Sequence, residues 1–244
     1  MKRTLAIGDI HGAALALEQV LKRANVTVSD KLIFLGDFVD GWSGSFQVIE
    51  KLISLSEQQK CVFIKGNHDV WFEDWLNTGK GNDSWLSHGG LSTVQSYQGC
   101  KPAIFQKHRD FLKTCKDYYI DDSNRLFIHA GFTSMKGPVN ERDTSNFNMD
   151  RTLWETARTM DNRIPFDSNR YPKRLKIFKE IYLGHTPTTN YGVDTPIQAV
   201  NVFDIDTGAA FNGKLSMVDV DSKEYWQSDQ VLTLYPNEKG RNKK

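Results

Sequence analysis

Five times along this chain a short apolar run stops at a polar turn that contains or adjoins glycine. That repetition constrains the fold more than any other feature. Thr4–Ile7 ends in Gly8-Asp9, Leu32–Leu35 in Gly36-Asp37, and Cys61–Ile64 in a turn holding Gly66-Asn67-His68-Asp69. Leu126–Ile128 runs into His129-Ala130-Gly131, and Ile181–Leu183 into Gly184-His185. Runs this short and this apolar suit strands buried on both faces. Between the first three lie two stretches with helical spacing, Ala13–Ala24 and Phe46–Leu55. Strands alternating with helices indicate a βαβαβ unit, an α/β class and a largely parallel sheet. Ligands gather at the carboxyl ends of strands in such sheets, so the five turns are expected to meet.

The rest of the chain reads less sharply. Residues 70–125 look mostly helical, with a loop at 79–83. Residues 133–175 are polar, hold Pro138, Pro165 and Pro172, and suggest a helix near Leu153–Met160. From Ala199 to Leu234 the pattern turns to alternation, with turns at Thr207-Gly208 and Asn212-Gly213, which predicts consecutive antiparallel strands. No repeat or linker interrupts the chain. A single domain over 1–244 is expected, with a flexible basic tail from about residue 237.

A net charge of +1 gives no global field for nucleic acid or an acidic membrane. No stretch reaches the roughly 20 apolar residues of a membrane span. The cluster of Lys173, Arg174, Lys176 and Lys179 reads as a solvated face. Cys61, Cys100 and Cys115 are three, without a CxxC spacing. They form neither a disulfide framework nor a thiolate metal site. Reduced thiols and the absence of a signal-like start suggest a cytoplasmic protein.

The residues at the strand ends carry the chemistry. Asp9 and His11 follow the first run, Asp37 and Asp40 the second, Asn67 and His68 the third, and His129 and His185 two later ones. Carboxylates and imidazoles suit borderline divalent metals such as manganese, iron or zinc. One ion is expected on Asp9, His11 and Asp37, a second on Asp37, Asn67, His129 and His185. A shared carboxylate can bridge ions about 3.5–4 Å apart, a spacing used in hydrolytic sites. Such a pair activates water and neutralises phosphoryl charge. His68, beside the ligand Asn67, is the natural general acid, with Asp40 to orient it. Gly8, Gly36, Gly66 and Gly184 each precede a site residue, where a β-carbon would crowd the metals.

Gly8-Asp9-Ile10-His11-Gly12, Gly36-Asp37-Phe38-Val39-Asp40-Gly41, Gly66-Asn67-His68-Asp69, His129-Ala130-Gly131 and Gly184-His185-Thr186 resemble the calcineurin-like phosphoprotein phosphatase family. The likeness is strongest to its bacterial and phage members, the small Ser/Thr or Tyr phosphatases and the symmetrical diadenosine tetraphosphatases. Trp85–Gly90 with Thr93 and Ser96-Tyr97 resembles a helical segment of that group, and Asp204–Ala209 its closing strands. The resemblance implies a calcineurin-like metallophosphoesterase fold, a central β-sandwich of mixed sheets flanked by helices, and two Mn²⁺ ions. It implies a phosphomonoesterase acting on phosphoproteins. A dinucleoside polyphosphate or other small-nucleotide hydrolase is the alternative, and a non-catalytic binding module a third. The pattern breaks at Gly41-Trp42, where the family has Arg-Gly. That arginine grips the substrate phosphate. Arg142, Arg151, Arg158 and Arg163 are candidates to replace it. Trp42 is expected to pack, and His88 to be a hydrogen-bonded structural residue.

Overall fold

The computed structural model describes residues 2–242. Among the described residues ten strands, numbered in chain order, form two five-stranded mixed sheets. The first holds β1 (Thr4–Ile7), β2 (Lys31–Phe34), β3 (Cys61–Phe63), β9 (Ser216–Asp219) and β10 (Tyr225–Gln227), in the order β10-β9-β1-β2-β3. The second holds β4 (Tyr118–Ile120), β5 (Arg125–Ile128), β6 (Glu180–Leu183), β7 (Ile197–Ala199) and β8 (Val202–Asp204), in the order β4-β5-β6-β8-β7. The inner strands run parallel: β1 with β2, β2 with β3, β5 with β6, and β6 with β8. The flanking strands are antiparallel.

The period of two along each strand sorts its side chains into layers. Leu5, Ile7, Leu32 and Phe34 pack with Leu17 and Val20 of α1 (Ala14–Arg23) and with Val48, Ile49 and Leu52 of α2 (Ser45–Gln58). The intervening Ala6 and Ile33 meet Phe127 and Tyr182 between the sheets. Leu126, Ile128, Ile181 and Leu183 turn outward onto Leu153, Trp154 and Ala157 of the helix Thr152–Arg158. Truncating one of these, Phe127→Ala for example, costs about 3–5 kcal/mol because its site cannot collapse. The three half-buried cysteines are free thiols. Among the described residues no helix is long and apolar enough to cross a membrane.

Residues 70–125 are mostly helical, as expected, and also contain β4, which pairs antiparallel with β5. Three expectations are corrected. The alternating C-terminal region is not one meander. β8 pairs with β6 in one sheet while β9 pairs with β1 in the other, and Val231–Leu234 closes as a helical turn. Arg174 is buried rather than solvated, donating to the Phe132 and Thr152 carbonyls. The basic end is docked as far as Asn242, with the Arg241 N–H donating to the Ala210 carbonyl at 2.8 Å.

Candidate active site

The turns after β1, β2 and β3 of one sheet meet those after β5, β6 and β8 of the other at one edge of the sandwich. They line a cleft of about 170 Å³ that includes His11, Asp37, Asn67, His68 and His185. Asp9, Asp40 and His129 are buried beside it. The backbone is bent sharply here. His11, Asp37, Asp40 and His185 have φ of 52°, 49°, 73° and 67°, a left-handed conformation costing a non-glycine residue about 1 kcal/mol or more. Hydrogen bonds between the turns hold them. Ile10 and His11 N–H both donate to the Asp37 carbonyl, at 3.0 and 2.8 Å. The buried Asp69 carboxylate accepts from the N–H groups of Asp37, Phe38 and Gly66 at 2.8–2.9 Å. The last residue of the Gly-Asn-His-Asp motif thus fixes the turn that carries Asp37.

The imidazoles are oriented by their outer nitrogens. His11 Nδ1–H donates to the Asp40 carbonyl at 3.0 Å, and His129 Nδ1–H to that of Leu35 at 2.8 Å. Each Nε2 is then an acceptor facing inward. His11 Nε2 lies 3.4 Å from Asp37 Oδ2, and His129 Nε2 lies 3.5 Å from the same oxygen and 3.3 Å from Asn67 Oδ1. Burial lowers the pKa of His11, His129 and His185, keeping these rings neutral. Burial, with the neighbouring charges of Asp206 and Asp37, raises that of Asp9. Asp9 Oδ1 is buried without a hydrogen-bond partner.

The donor atoms of His11, Asp37 and His68 lie within 4.8 Å of one another, as do those of Asp37, His129 and His185. Acceptors converging without protons between them are the environment a cation relieves. Two of the glycines leave room for carboxylates. A β-carbon on Gly66 would overlap Asp37 Oδ1, and one on Gly184 would overlap Asp9 Oδ1.

His68 differs from the other rings. Its Nδ1 lies 2.6 Å from Asp40 Oδ2. Asp40 is wholly buried and also accepts from Trp85 Nε1 at 2.6 Å and Thr93 Oγ1 at 2.6 Å. Among the described residues the second ring nitrogen of His68 has no protein partner, and the ring lines the cleft. The Trp85–Thr93 segment therefore serves the site from behind, by fixing the carboxylate that fixes the imidazole. His88 is exposed and bonded through Nδ1 to the Ser84 carbonyl at 2.6 Å, a local structural contact.

Of the four candidate arginines only Arg151 lines the cleft. Thr186 Oγ1 holds its Nη1 at 2.7 Å. Arg142 lies on the exposed loop organised by Glu141, Arg158 stacks over Tyr191, and Arg163 pairs with Asp161. Five lining residues are not singled out by the sequence, Pro187, Asn190, Asp206, Phe211 and Arg241, and two of them are charged. Asp206, after β8, is buried and pushed up to about 7 by that burial and by Asp37. Its Asp-Thr-Gly turn was the available signal. Arg241, in the docked basic end, gave none. Trp42 packs as expected, fully buried, with Nε1 donating to the Ala209 carbonyl at 2.7 Å. A larger groove of about 440 Å³ between α2, β3 and the helix Pro102–Leu112 contains none of these groups.

A mixed β-sandwich with such an edge is the architecture of a metallophosphoesterase. A family model of calcineurin-like phosphoesterases matches residues 2–211; the chain belongs to this family and is a phosphoric ester hydrolase. Membership implies divalent metal ions. The chain is 28% identical over 225 residues to a Geobacillus protein named asymmetrical bis(5'-nucleosyl)-tetraphosphatase PrpE, covering 86% of this chain and 87% of the relative. It is 24% identical over 246 residues to a Bacillus anthracis protein of the same name, covering 94% and 95%. Among solved structures it resembles a putative diadenosine tetraphosphatase, at TM-score 0.65 and 17% identity, covering 93% and 92%. It also resembles a Saccharomyces cerevisiae protein serine/threonine phosphatase, at TM-score 0.56 and 15% identity, covering 93% and 80%. These structural likenesses are of fold.

Proposed function

We propose that this chain is a dimetal-dependent phosphohydrolase whose substrates are dinucleoside polyphosphates, with His68 as the proton donor to the leaving group. The observation that carries the reading is the composition of the cleft. Inward-facing carboxylates and neutral imidazoles share it with the guanidinium groups of Arg151 and Arg241 and the ring of Phe211. Guanidinium groups suit a polyphosphate, and a half-buried aromatic ring in the cleft wall suits a base. The names of the bacterial relatives point the same way. Phosphoprotein hydrolysis, the first expectation from the sequence, rests on likeness of fold alone and ranks second.

Asp9, His11 and Asp37 would hold one divalent ion, and Asp37, Asn67, His129 and His185 the other. The fit rests on the unpartnered Asp9 Oδ1, the proton-free contacts around Asp37 Oδ2, and the glycines that leave room for both carboxylates. Bound there, such ions activate water and neutralise charge on the phosphoryl group. The chain's own residues do the rest. Arg151, anchored by Thr186, orients the phosphate. His68, clamped by Asp40, hands a proton to the departing oxygen, a step that contributes about 10²–10⁴-fold in rate. The deciding experiment offers diadenosine tetraphosphate and a panel of phosphopeptides in competition, with Mn²⁺ present. The dinucleotide is expected to be consumed first and to give ATP and AMP. Preferential phosphopeptide turnover would reverse the assignment, and two molecules of ADP would make the cleavage symmetrical.

A further inference from the structure

The C-terminal residues that lie outside the family match hold a cation over the cleft. The match ends at residue 211, yet the chain from Val231 to Asn242 folds back across the turn after β2. Tyr235 stacks on Trp42 with ring centroids 5.2 Å apart, and its hydroxyl accepts from the Leu15 N–H. Glu238 accepts from the N–H and hydroxyl of Ser43 at 2.8 and 2.6 Å. Gly240, at φ +56°, lies so close to the Trp42 ring that a β-carbon would collide with it. The Arg241 N–H then donates to Ala210.

This strap delivers the Arg241 side chain to a defined place. Its Cγ comes within 3.4 Å of where a β-carbon on Gly41 would stand. The guanidinium lies over the Phe211 ring at 5.3 Å and lines the cleft with His11, Asp37, His68 and Arg151. Among the described residues it forms no ion pair, although the cleft beside it is rich in carboxylates. Five N–H donors are thereby left for whatever enters. Position 41 itself is closed to an arginine. Its φ is +117°, and a β-carbon there would press on the His11 carbonyl at 3.2 Å.

We propose that Arg241, carried by the C-terminal strap, grips the phosphoryl oxygens of the substrate together with Arg151, taking the place that Gly41 cannot fill. The assignment rests on the phosphohydrolase reading above. Planar guanidinium and phosphate match as a two-pronged pair. Because the strap is tied to Ser43 and Trp42, the grip and the Asp40–His68 pair share one loop.

The test uses the full-length protein loaded with Mn²⁺ and inorganic phosphate as the probe. Phosphate affinity is measured calorimetrically for wild type, Arg241→Ala and Arg241→Lys, alongside bound metal, thermal midpoint, and kcat and KM on p-nitrophenyl phosphate. Arg241→Ala should weaken phosphate binding by on the order of 10–100-fold, as expected for a lost charge-assisted pair, and raise KM more than it lowers kcat. Metal content and thermal midpoint should stay at wild-type values. Arg241→Lys should recover part of the affinity, as a point charge without the fork. Phosphate affinity within twofold of wild type in Arg241→Ala overturns the proposal, and so does an affinity loss that follows loss of bound metal. A wild-type protein that neither binds phosphate nor turns over would instead sink the phosphohydrolase reading itself.

Discussion

Replacing Asp40 by asparagine isolates the charge behind His68. The residue is wholly buried, and one carboxylate oxygen takes both His68 Nδ1 and Trp85 Nε1 at 2.6 Å. The other takes Thr93 Oγ1 at 2.6 Å. An asparagine can keep its oxygen toward His68 and Trp85 and turn its amide toward Thr93. The Thr93 hydroxyl can then donate to Ser45 Oγ, 3.0 Å away. Shape and most hydrogen bonds survive, and the charge goes. Two unit charges about 4 Å apart at an effective dielectric near 20 attract by about 4 kcal/mol. The amide dipole returns part of this, leaving about 2–3 kcal/mol, or on the order of 10²-fold in kcat. The loss should depend on the leaving group. Alkyl phosphate esters, whose alkoxides leave poorly, need the proton and should show the full effect. p-Nitrophenyl phosphate, whose phenolate departs readily without one, should show much less. Steady-state rates on both substrates, with bound metal counted, make the assay. Equal losses on both substrates, or a kcat within threefold of wild type on the alkyl ester, would refute the reasoning.

Three further outcomes are expected. Gly66→Ala should abolish activity and destabilise the fold by more than about 2 kcal/mol, since the new methyl group overlaps Asp37 Oδ1 and the strained turn cannot retreat; near-native activity and melting would contradict this. Trp85→Phe should lower kcat and cost about 1–3 kcal/mol, as a buried carboxylate loses one of its three donors; denaturant titration and rates check it. Asp30 is buried and held well below the usual carboxylate range by its hydrogen bonds to Arg3, against the cost of burial, with Thr27 adding to them. A depressed folded-state pKa adds stability above the unfolded value near 4 that is lost as pH falls below it. Asp30→Asn should therefore cost about 1–2 kcal/mol at pH 7, discounted for the partly exposed Arg3, and progressively less below about pH 4; a pH-independent difference would exclude the linkage.

What was legible in the sequence was local. Each of the five turns couples an apolar run to a polar residue a few positions on, so Asp9, His11, Asp37, Asn67, His68, His129 and His185 could be read from short windows and brought together by strand direction alone. The pairing of Asp40 with His68 was also within reach, because both follow parallel neighbours. Partner choice was not legible. β8 and β9 look alike in sequence and pair in different sheets, yet both send a side chain, Phe203 and Val218, into the same layer between the sheets. Arg241 lies 200 residues from the glycine it covers, in a stretch whose composition suggests fraying. It is held by an anchoring tryptophan whose role appears only in three dimensions. Among the candidate arginines, the sequence could not separate Arg151 from Arg142, Arg158 and Arg163, since the loop that sorts them has no periodicity.

Two divalent ions sharing Asp37 are what the proposed hydrolysis needs most. Metal counted per chain after Mn²⁺ loading and desalting tests this directly, in wild type, His68→Ala and Asp37→Asn. Two ions are expected in wild type, two in His68→Ala, and neither in Asp37→Asn. One ion or none in wild type, or loss of metal from His68→Ala, would contradict this.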